Sequence, residues 1–295
     1  MKILSNPITV KELRSRMRGL RAILPMMAYL VILGIFVLTQ FAQFGATVNY
    51  SDLNKYGEEI GFTLMYGQLI LVLILAPAYA SSAITVEKER ETFEVMLTTL
   101  LSSWEIVAGK VFSGFSYAAL LLVSSLPLLA LAFWMGGFEP LQLFWGFFVI
   151  ISCALLTTCM GIMLSTLFGR SYMSTGVTYG IVLGGIGVSY AFIALIQAAI
   201  INPNAGSSWF SWHLLPVWLA YSLNPVMIME SLKYGATNIA STGLVHNNLI
   251  YYIEKFFNDM GLPYLVVYII ISLGLSAFML YLASIFLFKS SRKDS

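Results

Sequence analysis

Five stretches of this chain, Ala22–Tyr50, Ile60–Val86, Val111–Phe138, Pro140–Gly169 and Met260–Phe288, hold no acidic or basic residue, and a sixth such stretch begins at Ser171. Each is long enough as a helix to cross a hydrocarbon layer about 30 Å thick, which takes roughly 20 residues. Their apolar residues lie all round the helix rather than on one stripe, which excludes a soluble helical core. The expected fold is therefore an all-α integral membrane protein, a single membrane domain over 1–295. Its six transmembrane helices are assigned to 22–44, 61–86, 105–134, 141–168, 172–200 and 262–288.

The few charges orient these spans. Of the 16 basic residues, Lys55, Lys233 and Lys255 fall on one side of a six-span arrangement and the other thirteen on the opposite side, six of them within the first 21 residues. The positive-inside rule then places both termini in the cytoplasm. Asn6 and Pro7 read as a helix start, and Lys11, Arg14, Arg18 and Arg21 recur opposite Leu13, Met17, Leu20 and Leu24. Residues 6–21 are expected to form an interfacial elbow helix lying among lipid headgroups.

Between the fifth and sixth spans, 203–260 is too long for a structureless loop. The segment Trp209–Leu223, interrupted by His213 and Pro216, reads as a re-entrant or interfacial piece. Leu249, Ile253, Phe256 and Met260 line one face of an outer amphipathic helix. Gly176, Gly180 and Gly184 make a small-residue stripe that lets a helix approach. Beside it, Tyr172, Thr175 and Tyr179 form a polar face, either lining a pathway or hydrogen-bonding between helices.

Several chemistries are unsupported. Cys153 and Cys159 lie six residues apart on different faces of one span and read as small buried apolar residues, so no metal site is expected. A net charge of +2 gives no case for nucleic-acid binding. A membrane enzyme would need polar catalytic groups at membrane depth, and neither His213 nor His246 sits in a clear span. A secondary carrier or channel would draw on intramembrane carboxylates, whereas Glu105 and Glu139 stand at span boundaries.

One stretch resists the apolar pattern. Glu87, Lys88, Glu89, Arg90 and Glu91 are consecutive ionised residues between the second and third spans. Read as a helix over 87–101, the loop places Phe93, Met96, Leu97 and Leu100 on one face, with Glu87, Glu91 and Glu94 close together on another. Ser102 and Glu105 then form a capping box that starts the next helix. Such a segment suits either a solvated turn or a docking surface for a soluble protein.

The run E-K-E-R-E-T-F-E-V-M-L-T-T-L-L-S-S-W-E-I-V-A-G-K over 87–110 resembles the signature of ABC-2 type exporter permeases. Asn6-Pro7 followed by Lys11-Glu12 and Arg14 is similar to that family's elbow helix. Two departures stand out: many relatives carry Gly where Glu91 stands, and Pro where Leu100 stands. The resemblance implies that 87–101 is a coupling helix docking on a separate ATP-binding subunit through Glu87, Arg90, Glu91, Thr92, Phe93, Glu94 and Leu97. It implies no cofactor on this chain, ATP and Mg in the partner ATPase, and pairing with a second permease chain, identical or not. The cargo would be an amphipathic, drug-like, peptide or lipid-linked substrate exported across a prokaryotic plasma membrane. A secondary carrier or channel, or a scaffold without transport, is the alternative. Gly109-Lys110 is followed by Val111, so this chain carries no phosphate loop there and is not expected to be an enzyme.

Overall fold

A computed structural model describes residues 10, 12, 19–44, 53–93, 102–136, 140–200, 223–238 and 264–291, and every regular element among them is helical. Helix α1 is Leu20–Phe44 and α2 is Leu53–Ala80. The short α3 is Thr85–Glu89, followed by α4 at Ser103–Ser124 and α5 at Leu126–Trp134. Then come α6 at Pro140–Leu167, α7 at Ser171–Ile200, α8 at Pro225–Asn238 and α9 at Tyr264–Ser291. Six stretches are long and apolar enough to cross a membrane: Ile23–Gln43, Tyr56–Glu89, Ser103–Trp134, Pro140–Leu167, Ser171–Phe192 and Leu265–Phe288. These match the six expected spans.

Helix α6 is the hub, packing on α2, α4, α7, α8 and α9. One core cluster joins Leu64, Met65 and Leu69 of α2 to Val149 and Ile150 of α6, Met229 of α8 and Tyr268 of α9. A second, at the charged end of the bundle, gathers Ile84, Phe93, Ile106, Val107, Cys159, Ile162 and Leu287. Both cysteines are free and buried, as expected of small apolar side chains. By contrast α1 and α7 are mostly exposed, with only 11% of each span's most apolar window buried.

The third expected span differs in one respect: it is two helices, α4 and α5, joined at Ser125. Pro127 has no N–H to give the Val123 carbonyl, so the helical ladder is cut there. The Ser124 and Ser125 hydroxyls turn back onto the Leu121 and Leu122 carbonyls, and Gln68 of α2 donates to Ser125 Oγ at 2.9 Å. A buried amide thus braces the break from across the bundle.

Helix α8 lies within the expected outer segment 203–260. Asn224 caps it, its Oδ1 accepting from the Val226 N–H at 3.0 Å while its Nδ2 donates to Ser189 Oγ of α7 at 2.8 Å. Met227, Ile228 and Met229 are fully buried against the bundle. Within the expected re-entrant piece, 209–222 lies outside the described residues, as does the expected amphipathic helix around Leu249 to Met260.

Candidate functional site

Helix α2 ends at Ala80, and a turn over Ser81–Ile84 leads into α3. The turn is fastened to α6 because Ser165 Oγ accepts from both the Ile84 and Thr85 N–H groups, at 2.9 and 3.0 Å. It is fastened to α7 as well: Ser174 Oγ donates to the Ser81 carbonyl at 2.7 Å, and Ser81 Oγ lies 2.8 Å from Thr175 Oγ1. Buried N–H groups that would otherwise lack partners are satisfied by hydroxyls from neighbouring spans.

Three of the five consecutive charges bind neighbouring helices: Lys88 the end of α6, the exposed Glu89 the start of α7, and Glu87 the buried Lys110 of α4. Lys88 Nζ donates to the Thr166, Phe168 and Ser165 carbonyls at 2.6, 3.0 and 3.3 Å, closing the C-terminus of α6 where a cation complements the helix dipole. Glu89 accepts from the Ser171 N–H at 2.6 Å and caps the N-terminus of α7. The Ser171 hydroxyl adds a second bond to the same carboxylate, at 3.0 Å from Glu89 Oε2.

Glu87 faces α4. Lys110, only 1% exposed, donates to Glu87 Oε1 at 2.9 Å, to Glu12 Oε1 at 2.8 Å and to the Ala83 carbonyl at 2.9 Å. Ser113 donates to the other oxygen of Glu12. A buried ammonium keeps its charge only where carboxylates and carbonyls replace its water, and this site supplies all three of its donors with acceptors. Residues from the N-terminal segment, the α2–α3 turn, α3 and α4 are thus joined at one nitrogen.

The helix expected over 87–101 does not run unbroken. It stops at Glu89, and Arg90 to Thr92 form a tight turn before helical geometry resumes at Phe93. The Thr92 N–H bonds the Glu87 carbonyl at 3.0 Å and the Glu91 N–H bonds the Lys88 carbonyl at 3.2 Å, the paired bonds of a Schellman motif. Glu91 occupies its left-handed position with φ of 57°. The resemblance implies Gly at this position, and the backbone favours Gly there: a side chain costs about 1 kcal/mol. Glu91→Gly is accordingly expected to raise stability by up to about 1 kcal/mol, and Glu91→Val to lower it, as read from melting midpoints in detergent.

The expected docking residues therefore separate. Glu87 points inward to Lys110, and Phe93 is buried in the second core cluster with Lys88 Nζ 5.6 Å from its ring centroid. Arg90, Glu91 and Thr92 face outward and are exposed. Glu94 and Leu97 lie outside the described residues, so Glu87, Glu91 and Glu94 are not seen as one face. Of the elbow cations, Lys11, Arg14 and Arg18 also lie outside, and Arg21 is described only as backbone within α1. Glu12, noted in the sequence only as part of a motif, is the elbow residue that reaches the site. The expected capping box is present, with Ser102 N donating to Glu105 Oε2 at 3.0 Å and Glu105 N to Ser102 Oγ at 3.4 Å.

Two of the three residues of the α7 polar face hydrogen-bond to a neighbouring segment. Thr175 meets Ser81, and Tyr179 donates to the Ile74 carbonyl of α2. Tyr172 is exposed, with Arg170 donating to its hydroxyl at 3.4 Å. The glycine stripe is open: a Cβ on Gly176, Gly180 or Gly184 would meet nothing within 4 Å.

No curated protein matches the chain. A protein-family model does, that of the ABC-2 type transporter membrane region, over residues 7–231, a span that contains Glu12, Glu87 to Glu91, Lys110 and helices α1 to α7. With six apolar helices and a match across most of its length, this multi-pass membrane protein belongs to the ABC-2 type transporter family.

Proposed function

We propose that the chain is the permease subunit of an ATP-driven exporter, moved by a separate ATP-binding subunit that grips its charged end. The observation that carries this reading is the division of labour within 87–93. Glu87, Lys88 and Glu89 fasten the turn to α4, α6 and α7, while Arg90, Glu91 and Thr92 project outward. A force applied to the outward residues would reach the ends of three spans through short ionic and hydrogen-bonded contacts, as a rigid-body transition requires. The residues from 94 on would complete the docking surface, with Glu94 and Leu97 in it.

The thirteen-to-three distribution of basic residues supports putting this end in the cytoplasm, and the resemblance implies a prokaryotic plasma membrane. Among the described residues Lys110 is the one buried charged side chain, and it lies two turns into α4 on the side of the charged turn, bonded to carboxylates and a carbonyl. That position is unlike the mid-membrane ionised groups of proton- or ion-coupled carriers. ATP and Mg would be held by the partner subunit. The exposed faces of α1 and α7, with the open glycine stripe on α7, suit a second permease chain, identical or related. The cargo class is amphipathic: drug-like, peptide or lipid-linked.

Reversing charge on the outward face tests the docking. Glu91→Lys and Glu94→Lys are each expected to lower ATPase recovery severalfold on co-purification while membrane insertion is unchanged, because rim charges steer and orient association. Wild-type recovery for both variants would remove the docking role from this turn. An ATP-dependent transport assay in vesicles then separates an exporter from a scaffold.

A further inference from the structure

A cavity of about 360 Å³ lies between α6, α7, α9 and the start of α8, away from the charged end. Its volume falls within the roughly 300–1,000 Å³ of small-molecule sites. No ionised side chain lines it. Its α7 lining runs from Ile181 to Phe192, eleven positions or about 16 Å along the helix axis, so it is elongated rather than compact.

The two ends of the cavity differ. Toward the charged end it is bounded by Leu73, Leu156, Met160 and Ile181, with Thr157 beside them, its hydroxyl turned back onto the Cys153 and Ala154 carbonyls. At the far end stand Ser189, Asn224 and Tyr268. Tyr268 is 2% exposed, and its hydroxyl has no hydrogen-bond partner among the described residues. The neighbouring Ser152 hydroxyl donates its proton to the Val149 carbonyl and so has none to give Tyr268. A buried hydroxyl left unpaired is costly, and one lining a cavity is satisfied by whatever fills that cavity.

The opening is lateral. Ile181, Val188, Phe192 and Leu223 line the cavity yet are themselves exposed, at the level of the apolar spans. Ile181, Gly185, Val188 and Phe192 recur at four, three and four on α7, about 100° around the helix from the Gly180 and Gly184 stripe. The cavity therefore opens on a different face from the one suited to a second permease chain.

We propose that this cavity is a binding slot for one acyl chain of a bilayer phospholipid in the leaflet remote from the charged end. Such a lipid has its ester oxygens outward and its tail toward the bilayer middle, which is the order of polar and apolar groups along the slot. The tail would lie against Leu156, Met160 and Ile181, and an ester carbonyl would accept from the Tyr268 hydroxyl. The inference uses the membrane fold and the slot alone, so it stands apart from the exporter reading.

The test uses the full chain in nanodiscs of phosphatidylcholine doped with phosphatidylcholine bearing a diazirine midway along one acyl chain. Illumination needs neither ATP nor an ATPase partner, so failure here and failure of the exporter reading are told apart. Adducts are expected on Leu156, Met160, Val182 or Ile186 by peptide mass spectrometry. Gly185 lines the slot, and a Cβ there meets nothing within 4 Å, so Gly185→Phe starts its side chain in open space. It should cut slot labelling by about tenfold, the scale on which a misfitted apolar pocket discriminates. Gly274→Phe, equally open but outside the slot, should leave labelling unchanged. Wild-type adducts confined to outward residues such as Ile70, Ile270 and Phe278, or slot labelling unchanged by Gly185→Phe, would overturn the proposal.

Discussion

Replacing Lys110 with methionine is expected to lower the melting temperature of the purified protein by roughly 5–10 °C and to abolish transport. Methionine preserves most of the stem's volume, so the loss is one of charge. Glu12 Oε1 and Glu87 Oε1, each within 2.9 Å of the same nitrogen, would face one another with the cation between them gone. Fully buried pairs broken in this way cost about 3–5 kcal/mol, and the partial exposure of the two carboxylates, 16% and 28%, moves the expectation to about 2–3 kcal/mol. The companion variant combines Lys110→Met with Glu12→Gln and Glu87→Gln. It removes the repulsion and should recover most of the melting temperature without restoring transport, because the N-terminal segment and the turn are no longer held together. A companion that melts no higher than Lys110→Met alone would show that the cluster stabilises by packing rather than by charge.

This cluster marks the limit of what could be read from the chain. The six spans were legible because a bilayer imposes length and apolarity on each segment separately, with no reference to its neighbours. The Ser102–Glu105 capping box was legible for the same reason, being a contact three residues long. Glu12 and Lys110 are 98 positions apart, Lys88 and Thr166 are 78, and Glu89 and Ser171 are 82. No local pattern assigns such partners, so Glu87 was placed on the docking face although it binds Lys110, and nothing local marked Lys88 and Glu89 as the groups that fasten the ends of α6 and α7. The break at Glu91 had a signal in the ABC-2 pattern itself, since Gly in relatives at that position marks a left-handed turn rather than a helix interior. Helix α8 had its signal in Asn224-Pro225, a cap followed by a first-turn proline, but at 14 residues it is too short to register as a span.

The glycines were legible as a class but not in their roles, and the second large prediction follows from that. Gly161 lies on the buried face of α6, where a Cβ would stand 2.7 Å from Ala80 Cβ, 3.0 Å from the Ser81 nitrogen and 3.2 Å from the Ala80 carbonyl carbon. Two of these three neighbours are backbone, so no rotamer change can make room. One turn further along α6, Ser165 accepts the Ile84 and Thr85 N–H groups, and that contact survives only while the end of α2 stays this close. Gly161→Leu should therefore prevent accumulation of folded protein. Overpacking costs about 1–3 kcal/mol, and leaving two buried N–H groups unpaired adds about 1–3 kcal/mol for each. Gly161→Ala, with one carbon to accommodate, should fold with a melting temperature lowered by several degrees. Gly176→Leu on α7, where the added carbon meets open space, should leave the protomer's stability within about 0.5 kcal/mol of wild type. Size-exclusion profiles and melts of the three variants decide the matter. Gly161→Leu as stable as Gly176→Leu would mean that α2 and α6 are not in backbone contact, and that the charged turn is positioned by some other support.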